Sequence, residues 1–535
     1  MGPVRRRAVA RAGSAVIGPV GLPGRIGVIG AGTMGAGIAQ LAALTGAETV
    51  LHDPVADALA RGTARIESGL DDAVRRGRLS ADQAAAARAR LGPAGELREL
   101  AGCGLVIEAV PERLELKREL FAQLAAVVGR DCVLATNTSS LPVTEIAAAA
   151  AVPERVVGMH FFNPPQAMKL VEVVAGAVSA PDALALAHAV VAAMGRVAID
   201  APDIPGFIVN RCNRPFSLVA LALLAERAAT VREIDLIARL EGGFRMGPFE
   251  LMDLVGLDTN HAVAESLFRR SFGEPRFRPS PLQARMVAAG RLGRKSGWGW
   301  YSYAPGGGPA NDDFEDPQLP APGGGAGRVL ALVGDGPLVL LELAAAAQRA
   351  GFEVGREPRG GEEPWLALVG ERDASVEPAP RARFLWDSSL HACDPEAAGM
   401  HVIAPFEAAR VIETAVTPRT DPVARERLLE LVRALGRHPV EVGDAPGLVL
   451  GRILSCLINE AAFLIGERHA APADVDLGLT LGANHPRGLV AWSRALGLRH
   501  AAGILDALRR ESGEERYRTA PLLRRRLALG EPGLD

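Results

Sequence analysis

A histidine and a glutamate twelve residues apart, His160 and Glu172, are the pair best placed for chemistry in this 535-residue chain. His160 lies in Gly158-Met159-His160-Phe161-Phe162-Asn163-Pro164, and Glu172 in the strand-like run Leu170-Val171-Glu172-Val173-Val174. A lone histidine in apolar sequence is ordinarily a satisfied core residue. A carboxylate inside such a run, however, is rarely buried without a partner, and a His–Glu pair is the simplest partnership available. The carboxylate would orient the imidazole and stabilise its protonated form, so that the other ring nitrogen exchanges a proton with substrate.

A second constellation starts at Gly30-Ala31-Gly32-Thr33-Met34-Gly35, directly after the short apolar run Ile26-Gly27-Val28-Ile29 and before an alanine-rich stretch to Leu44. A GxGxxG alone is weak, since glycines also mark ordinary turns. Here a strand precedes it, a helix follows it, and Asp53 stands 23 residues on from Gly30, at the end of the next strand, Thr49-Val50-Leu51-His52. In that context the first glycine makes the turn, the second lets a pyrophosphate approach the backbone, and the third allows close helix–strand packing at a helix N-terminus that favours anions. Asp53 accepts from ribose hydroxyls and repels a 2′-phosphate, so the expected cofactor is NAD.

Further strands at Leu105-Val106-Ile107 and Val133-Leu134-Ala135, with helical periodicity between, predict a doubly wound parallel sheet. From Ile208 to about Leu292 the pattern is helical, and residues 305 to 325 are rich in Pro and Gly. The hydrophobic content of 48% and charged content of 23% suit a globular protein. No apolar run approaches the about 18–20 residues of a membrane span. A net charge of −3 gives no sign of broad nucleic-acid binding. Five scattered cysteines with no CxxC exclude a disulfide scaffold or close-spaced zinc knuckle, and suit a reducing cytoplasm. No metal is expected. The start, with Arg5, Arg6, Arg7 and Arg11 and no acidic residue before Glu48, reads as a transit peptide, a solvated tail or a misplaced start.

The second half repeats the first. An offset of 241 pairs His160 with His401, Pro164 with Pro405, Glu172 with Glu413, Arg211 with Arg452, Glu226-Arg227 with Glu467-Arg468, and Asp235 with Asp476. Upstream, Gly30 aligns with Gly334, an offset of 304, so the second sheet domain is 63 residues shorter. Its Gly334-Asp335-Gly336 has Val339 in place of the third glycine, and Asp335 sets a carboxylate where phosphates would lie. Asn163 becomes Ala404 and Asn210 becomes Gly451. The second copy is therefore expected to be Rossmann-like in shape, without cofactor, and structural in role.

Taken together, GxGxxG, Asn137-Thr138-Ser139-Ser140-Leu141, His160-Phe161-Phe162-Asn163-Pro164, Pro205-Gly206-Phe207-Ile208-Val209-Asn210-Arg211 and Met246-Gly247-Pro248-Phe249-Glu250-Leu251 resemble the L-3-hydroxyacyl-CoA dehydrogenase family over about residues 25–303. The duplicated chain resembles its long bacterial members, similar to 3-hydroxyadipyl-CoA and 3-hydroxybutyryl-CoA dehydrogenases. The resemblance implies an α/β Rossmann-type NAD-binding domain plus an all-α C-terminal domain, then a degenerate copy of both. The expected boundaries are a tail (1–24), NAD-binding domain (25–201), helical domain (202–303), linker (304–325), degenerate Rossmann-like domain (326–440) and second helical domain (441–535).

It also implies roles. His160 would be the general base, Glu172 its partner, and Ser139 and Asn210 would hold the substrate oxygen and thioester arm. Gly30, Gly32, Thr33, Met34, Gly35, Asp53, Glu112, Lys117, Ser139, Asn163 and Lys295 would contact NAD, and an acyl-CoA would be the substrate. Gly69 stands where the family often places a serine, which leaves Arg76 or Arg78 either to meet CoA phosphates or to lie on a solvated face. In the family the helical domain pairs with another copy. A tandem chain can pair within itself or join a homo-oligomer. The alternative reading is a non-catalytic NAD or acyl-CoA sensor, or a scaffold subunit.

Overall fold

The computed structural model describes residues 21–306, 308, 315–355, 363–370 and 380–535. Most of the expected tail and part of the expected linker lie outside them. The chain divides into two compact units, 1–203 and 204–535, described separately below.

In the first unit, apolar runs form β1 (Arg25–Ile29), β2 (Glu48–His52), β3 (Leu91–Ala94), β4 (Leu105–Glu108), β5 (Val133–Thr136), β6 (Val156–Phe161), β7 (Leu170–Ala175) and β8 (Val197–Pro202). Helices α1 (Thr33–Leu44), α2 (Ala56–Arg75), α3 (Ala81–Arg90), α4 (Leu114–Leu124), α5 (Val143–Ala147) and α6 (Pro181–Ala193) connect them. The strand order is β3-β2-β1-β4-β5-β6-β7-β8, parallel except where β7 runs antiparallel to β6. Strands β1 and β4–β7 are buried almost throughout, as expected of a sheet covered on both faces. Ile38 and Ala42 of α1 and Val190 of α6 pack into the core with Ile107 and Val157.

Strand β3 was not anticipated, because Leu91-Gly92-Pro93-Ala94 carries two residues that usually interrupt strands. It forms as an edge strand pairing only with β2, where a missing N–H is tolerated.

The second unit begins with α7 (Val209–Cys212), α8 (Arg214–Ala225), α9 (Val231–Leu240), α10 (Pro248–Val255), α11 (Leu257–Arg270) and α12 (Pro281–Ala288). Strands β9 (Val329–Val333), β10 (Glu353–Gly355), β11 (Leu366–Val369), β12 (Arg381–Phe384), β13 (Ala398–His401), β14 (Val411–Ala415) and β15 (His438–Val442) follow, with α13 (Val339–Arg349), α14 (Leu390–Cys393) and α15 (Pro422–Ala434) between them. The chain ends in α16 (Leu450–Gly466), α17 (Pro472–Leu477), α18 (Leu489–Leu496), α19 (Leu498–Ser512) and α20 (Pro521–Ala528).

The second sheet runs β10-β9-β11-β12-β13-β14-β15, with the same reversal between β13 and β14. Among the described residues it repeats the first sheet without a counterpart of β3. Among the described residues no helices stand where α2, α3 and α4 stand in the first, and this is where the shorter copy lost its length.

The duplication also shows in side chains. Asp235 accepts from the Phe249 and Glu250 amides at the start of α10, and Asp476 accepts from Val490 and Ala491 at the start of α18. Each acid caps a helix over a glycine, Gly247 or Gly488, where a Cβ would strike the carboxylate.

The two helical copies pair face to face, with α8 along α16. Arg211 donates to Glu460 at 2.7 Å and Glu467 at 2.8 Å, while Arg452 donates to both oxygens of Glu226 at 2.6 and 2.7 Å. Arg278 reaches Glu514 at 3.5 Å and Arg518 reaches Glu274 at 3.3 Å. The offset that turns Arg211 into Arg452 turns Glu226 into Glu467, so the contacts are reciprocal, as across a two-fold axis. The helical domains of one chain therefore form between them the kind of interface two protomers make.

Candidate active site

Strand β1 delivers the chain into Gly30, whose φ of +97° is open to glycine but strained for other residues. A Cβ at Gly30 would lie 2.6 Å from the Ala109 carbonyl oxygen, and one at Gly35 only 1.7 Å from that of Gly30. Packing within the protein thus demands both glycines. At Gly32 nothing lies within 4 Å of where a Cβ would sit. No protein atom accounts for glycine there, whereas a phosphate group lying against the backbone would.

Thr33 and Met34 open α1 beside it. Asp53 at the end of β2 accepts from the Ala31 amide at 2.9 Å and the Val55 amide at 3.0 Å. Its carboxylate is thereby fixed at the rim of the glycine turn, and each oxygen keeps further accepting capacity. This set fits the adenosine and pyrophosphate part of a dinucleotide.

The loop after β5 is organised from beneath by Glu112. One of its oxygens accepts from the Thr138 hydroxyl at 2.7 Å and the Ser139 and Ser140 amides at 2.9 and 3.0 Å. Both serine hydroxyls also reach it. Burial pushes the Glu112 carboxyl up, but Lys117 and the donated hydrogen bonds outweigh it and hold the group below its usual range.

Lys117 itself is 1% exposed. It donates to both oxygens of Glu108 at 2.8 and 3.0 Å and pairs with Glu112 at 3.2 Å. Its place is under the loop, where it anchors Glu112. The sequence reading passed over Glu108, although a carboxylate ending an apolar strand nine residues before a lysine is a legible signal. It also passed over Asp203, which accepts from the Val143 and Thr144 amides at 2.8 Å each and fixes the start of α5.

His160 and Glu172 face each other across the antiparallel pair β6–β7, in direct register. The His160 Nδ1 lies 2.7 Å from Glu172 Oε2, with the glutamate fully buried and the histidine 5% exposed. Phe162 packs against the imidazole, ring centroids 4.6 Å apart. Asn137 accepts from the Phe161 amide at 2.8 Å and so ties the serine loop to the histidine strand. Asn163 precedes a cis Pro164 at the end of this segment.

The first unit thus brings together the glycine turn, Asp53, Glu112, Lys117, Ser139, His160, Asn163 and Glu172. Asn210 and Lys295 belong to the second unit, Asn210 in α7 and Lys295 donating to both oxygens of Asp258 at 2.5 and 2.7 Å.

Arg61, Arg65, Ser68, Gly69 and Arg75 of α2, with Arg76 just beyond its end, line a groove of about 630 Å³; Arg78 is not part of its wall. Arg76 is held by Asp72 at 2.8 Å. Gly69 is enforced by packing, since a Cβ would lie 2.5 Å from Gln40 Oε1, and Gln40 accepts from Gln166 at 3.2 Å.

In the second copy, His401 and Glu413 keep the same register, but the pairing is different. The His401 Nε2 lies 2.9 Å from His500 Nε2, and its Nδ1 is buried without a hydrogen-bond partner. Glu413 accepts from the Val449 and Leu450 amides at 2.6 and 3.0 Å and lies beside Glu241, which follows α9 and accepts from the Ile403 amide at 3.0 Å.

Burial, reinforced by His500, holds His401 well below its ordinary value, so it is neutral. Burial raises Glu413 to about 8, against the pull of its two amide donors. A Cβ at Gly451 would lie 2.4 Å from the His401 ring, which leaves no room for the asparagine found at the equivalent position 210.

Comparison with known proteins follows this geometry. The sequence matches the 3-hydroxyacyl-CoA dehydrogenase NAD-binding domain over residues 25–204 and the C-terminal domain of the same family twice, over 206–303 and 447–535. It is 36% identical over 510 residues to the 3-hydroxyadipyl-CoA dehydrogenase of Escherichia coli, covering 95% of this chain and 98% of that one. It is 40% identical over 281 residues to a 3-hydroxybutyryl-CoA dehydrogenase of Mycobacterium tuberculosis, covering 52% of this chain and 98% of that one. The crystal structure of a 3-hydroxybutyryl-CoA dehydrogenase from Escherichia coli superposes with a TM-score of 0.78 at 34% identity, covering 94% of this chain and 98% of that one.

Proposed function

The chain belongs to the 3-hydroxyacyl-CoA dehydrogenase family, and on that premise we propose that its first copy oxidises (S)-3-hydroxyacyl-CoA to 3-oxoacyl-CoA, with His160 as the general base. The observation carrying this reading is the buried His160–Glu172 contact of 2.7 Å. With Nδ1 committed to Glu172, proton exchange with the 3-hydroxyl falls to Nε2. Glu172 fixes the tautomer and stabilises the imidazolium that forms as the proton arrives.

NAD, when bound, supplies the hydride acceptor. Gly30, Gly32, Thr33, Met34, Gly35 and Asp53 would hold its adenosine and pyrophosphate part. Ser139, presented by the loop that Glu112 organises, would hold the substrate oxygen, with Asn163 beside the nicotinamide. Asn210 would hold the thioester arm, and Lys295 would supply a further NAD contact. The groove on α2, with Arg76, suits the phosphates of CoA.

The two relatives named for hydroxyadipyl and hydroxybutyryl thioesters supply the candidate acyl groups. The free cysteines, four of them buried, suit a reducing cytoplasm.

The test is oxidation of NADH by the purified protein with acetoacetyl-CoA or 3-oxoadipyl-CoA, with NADPH as control. Turnover specific to NADH is expected. Tight NADH binding with no turnover on either thioester would overturn the dehydrogenase reading in favour of a sensor.

A further inference from the structure

Glu241, His401 and Glu413 meet inside the second unit, brought there from the residue after α9, from β13 and from β14. Glu241 is 3% exposed and the other two not at all. One donor atom of each lies within 4.8 Å of the other two. Neither carboxyl pairs with a lysine or arginine among the described residues. Two acids therefore lie in a dry place, walled on the histidine side by Phe384, with no basic side chain to balance them.

The hydrogen bonds show which atoms keep a lone pair. His500 donates one ring nitrogen to the Leu496 carbonyl, one turn back. Its Nε2 is then a bare acceptor, 2.9 Å from the His401 Nε2. His401 must donate there, which leaves its Nδ1 unprotonated. That Nδ1 and the Glu241 Oε2 are both buried with no hydrogen-bond partner among the described residues. Glu413, although it accepts from the Val449 and Leu450 amides, keeps further accepting capacity.

Protons on the two carboxyls would remove the charge and still leave the His401 Nδ1 with nothing to meet. A divalent cation answers both needs. From this arrangement we propose that Glu241, His401 and Glu413 bind a divalent metal ion, and the mixture of one imidazole with two carboxylates suits zinc. Two carboxylates balance its charge, so none is left over in the interior.

Zinc holds nitrogen and oxygen donors at about 2.0–2.2 Å, hence about 3.4 Å from one another in a tetrahedron. From separations of at most 4.8 Å the side chains close by no more than about 1.4 Å. His500 and the two amides would fix the ligands from behind, as outer partners of metal ligands commonly do. In the metal-free chain protons take the cation's place, and metal binding releases them.

The first copy has no counterpart. The offset of 241 sets Gly482 against Glu241, and His160 spends its Nδ1 on Glu172. The third donor is present only where the His–Glu pair is parted. Spacings of 160 and 12 residues carry no metal motif, so only the fold assembles the site. There the ion would tie the first helical domain to the second sheet.

The test is the metal content of the full chain, produced with zinc in the growth medium so that the ion enters as the protein folds, then dialysed without chelator. Elemental mass spectrometry should find about one zinc per chain in the parent and less than about 0.1 in Glu241→Gln and His401→Gln. Glu241→Gln keeps the side-chain volume and an acceptor for the Ile403 amide. A chelator present through refolding should lower the parent's Tm by about 2 °C or more and leave that of Glu241→Gln unmoved.

A folded parent without zinc would overturn the proposal. So would variants that hold as much zinc as the parent, since the ion would then lie elsewhere. With cobalt in place of zinc, weak visible bands alone are expected. An intense thiolate-to-metal absorption would put the ion on a cysteine and overturn the assignment.

Discussion

In the first copy the imidazole of His160 turns its Nδ1 to Glu172; in the second, from the same strand register, the imidazole of His401 reaches His500 while Glu413 is taken by two backbone amides. The backbone scaffold is the same, and the surrounding side chains decide the outcome. Beside His401, Gly451 leaves space that the ring occupies, and Glu241 presents a second carboxyl to Glu413. Burial raises the Glu413 carboxyl to about 8, so the group equivalent to the one that steadies an imidazolium in the first copy holds a proton at neutral pH instead. A strand pairing conserves the position of two residues; it does not conserve a proton-transfer site.

Four experiments press on that contrast. The largest effect is expected at His160. General acid–base catalysis contributes about 10²- to 10⁴-fold, so His160→Ala should lose that much in kcat and retain NADH affinity, measured by fluorescence titration. Near-normal turnover would remove the distinction between the copies.

Next comes the interface shared by the helical domains. Arg211→Ala removes one of two guanidinium partners from the buried Glu460. Breaking a buried pair costs about 3–5 kcal/mol, and with Arg276 remaining the loss should be about 3 kcal/mol, read as a lower denaturant midpoint. An unchanged midpoint would mean that the reciprocal pairs orient the helices without stabilising them.

The third effect is pH-dependent. Glu413 titrates at about 8 in the folded chain against an ordinary 4.5, so between these values the folded state holds a proton that the unfolded chain has released. Stability from this group is therefore complete below about 4.5 and falls as pH rises, by up to about 1.4 kcal/mol per pH unit, levelling above 8. Glu413→Gln should reduce that slope in denaturant titrations from pH 5 to 8, leaving the part contributed by Glu241, whose carboxyl burial also raises. An identical slope would mean that Glu413 is ionised and the second site more like the first than its geometry indicates.

The smallest effect is expected at His401. His401→Asn should change kcat/KM by no more than about 3-fold, a size of change associated with neutral contacts and not with proton transfer. A loss comparable with His160→Ala would make the second copy catalytic.

Much of this was legible from residues. The glycine turn and Asp53 announce a dinucleotide site because Gly30 and Gly35 answer steric demands while Gly32 leaves the backbone open to a phosphate, and the offset of 241 lays out the duplication without a structure. The His–Glu pair was readable because a charge in an apolar strand needs company.

Other features were not readable. Strand β3 is dictated by its neighbour β2 and not by its own Gly-Pro composition. The resemblance names Lys117 among the cofactor contacts, but nothing in it announces that its ammonium is also enclosed by Glu108 and Glu112. The rerouting of His401 to His500 depends on two residues 99 apart, a distance at which spacing carries no signal.

The reciprocal arginine–glutamate contacts between the helical domains have a consequence for mass action. Partners joined in one polypeptide meet at an effective concentration set by the chain itself, so dilution cannot separate them as it separates two free protomers. On the proposed reading, one site serves each pair of helical domains. Substrate saturation should therefore be hyperbolic at every enzyme concentration, and a sigmoidal curve would show that a second site is at work.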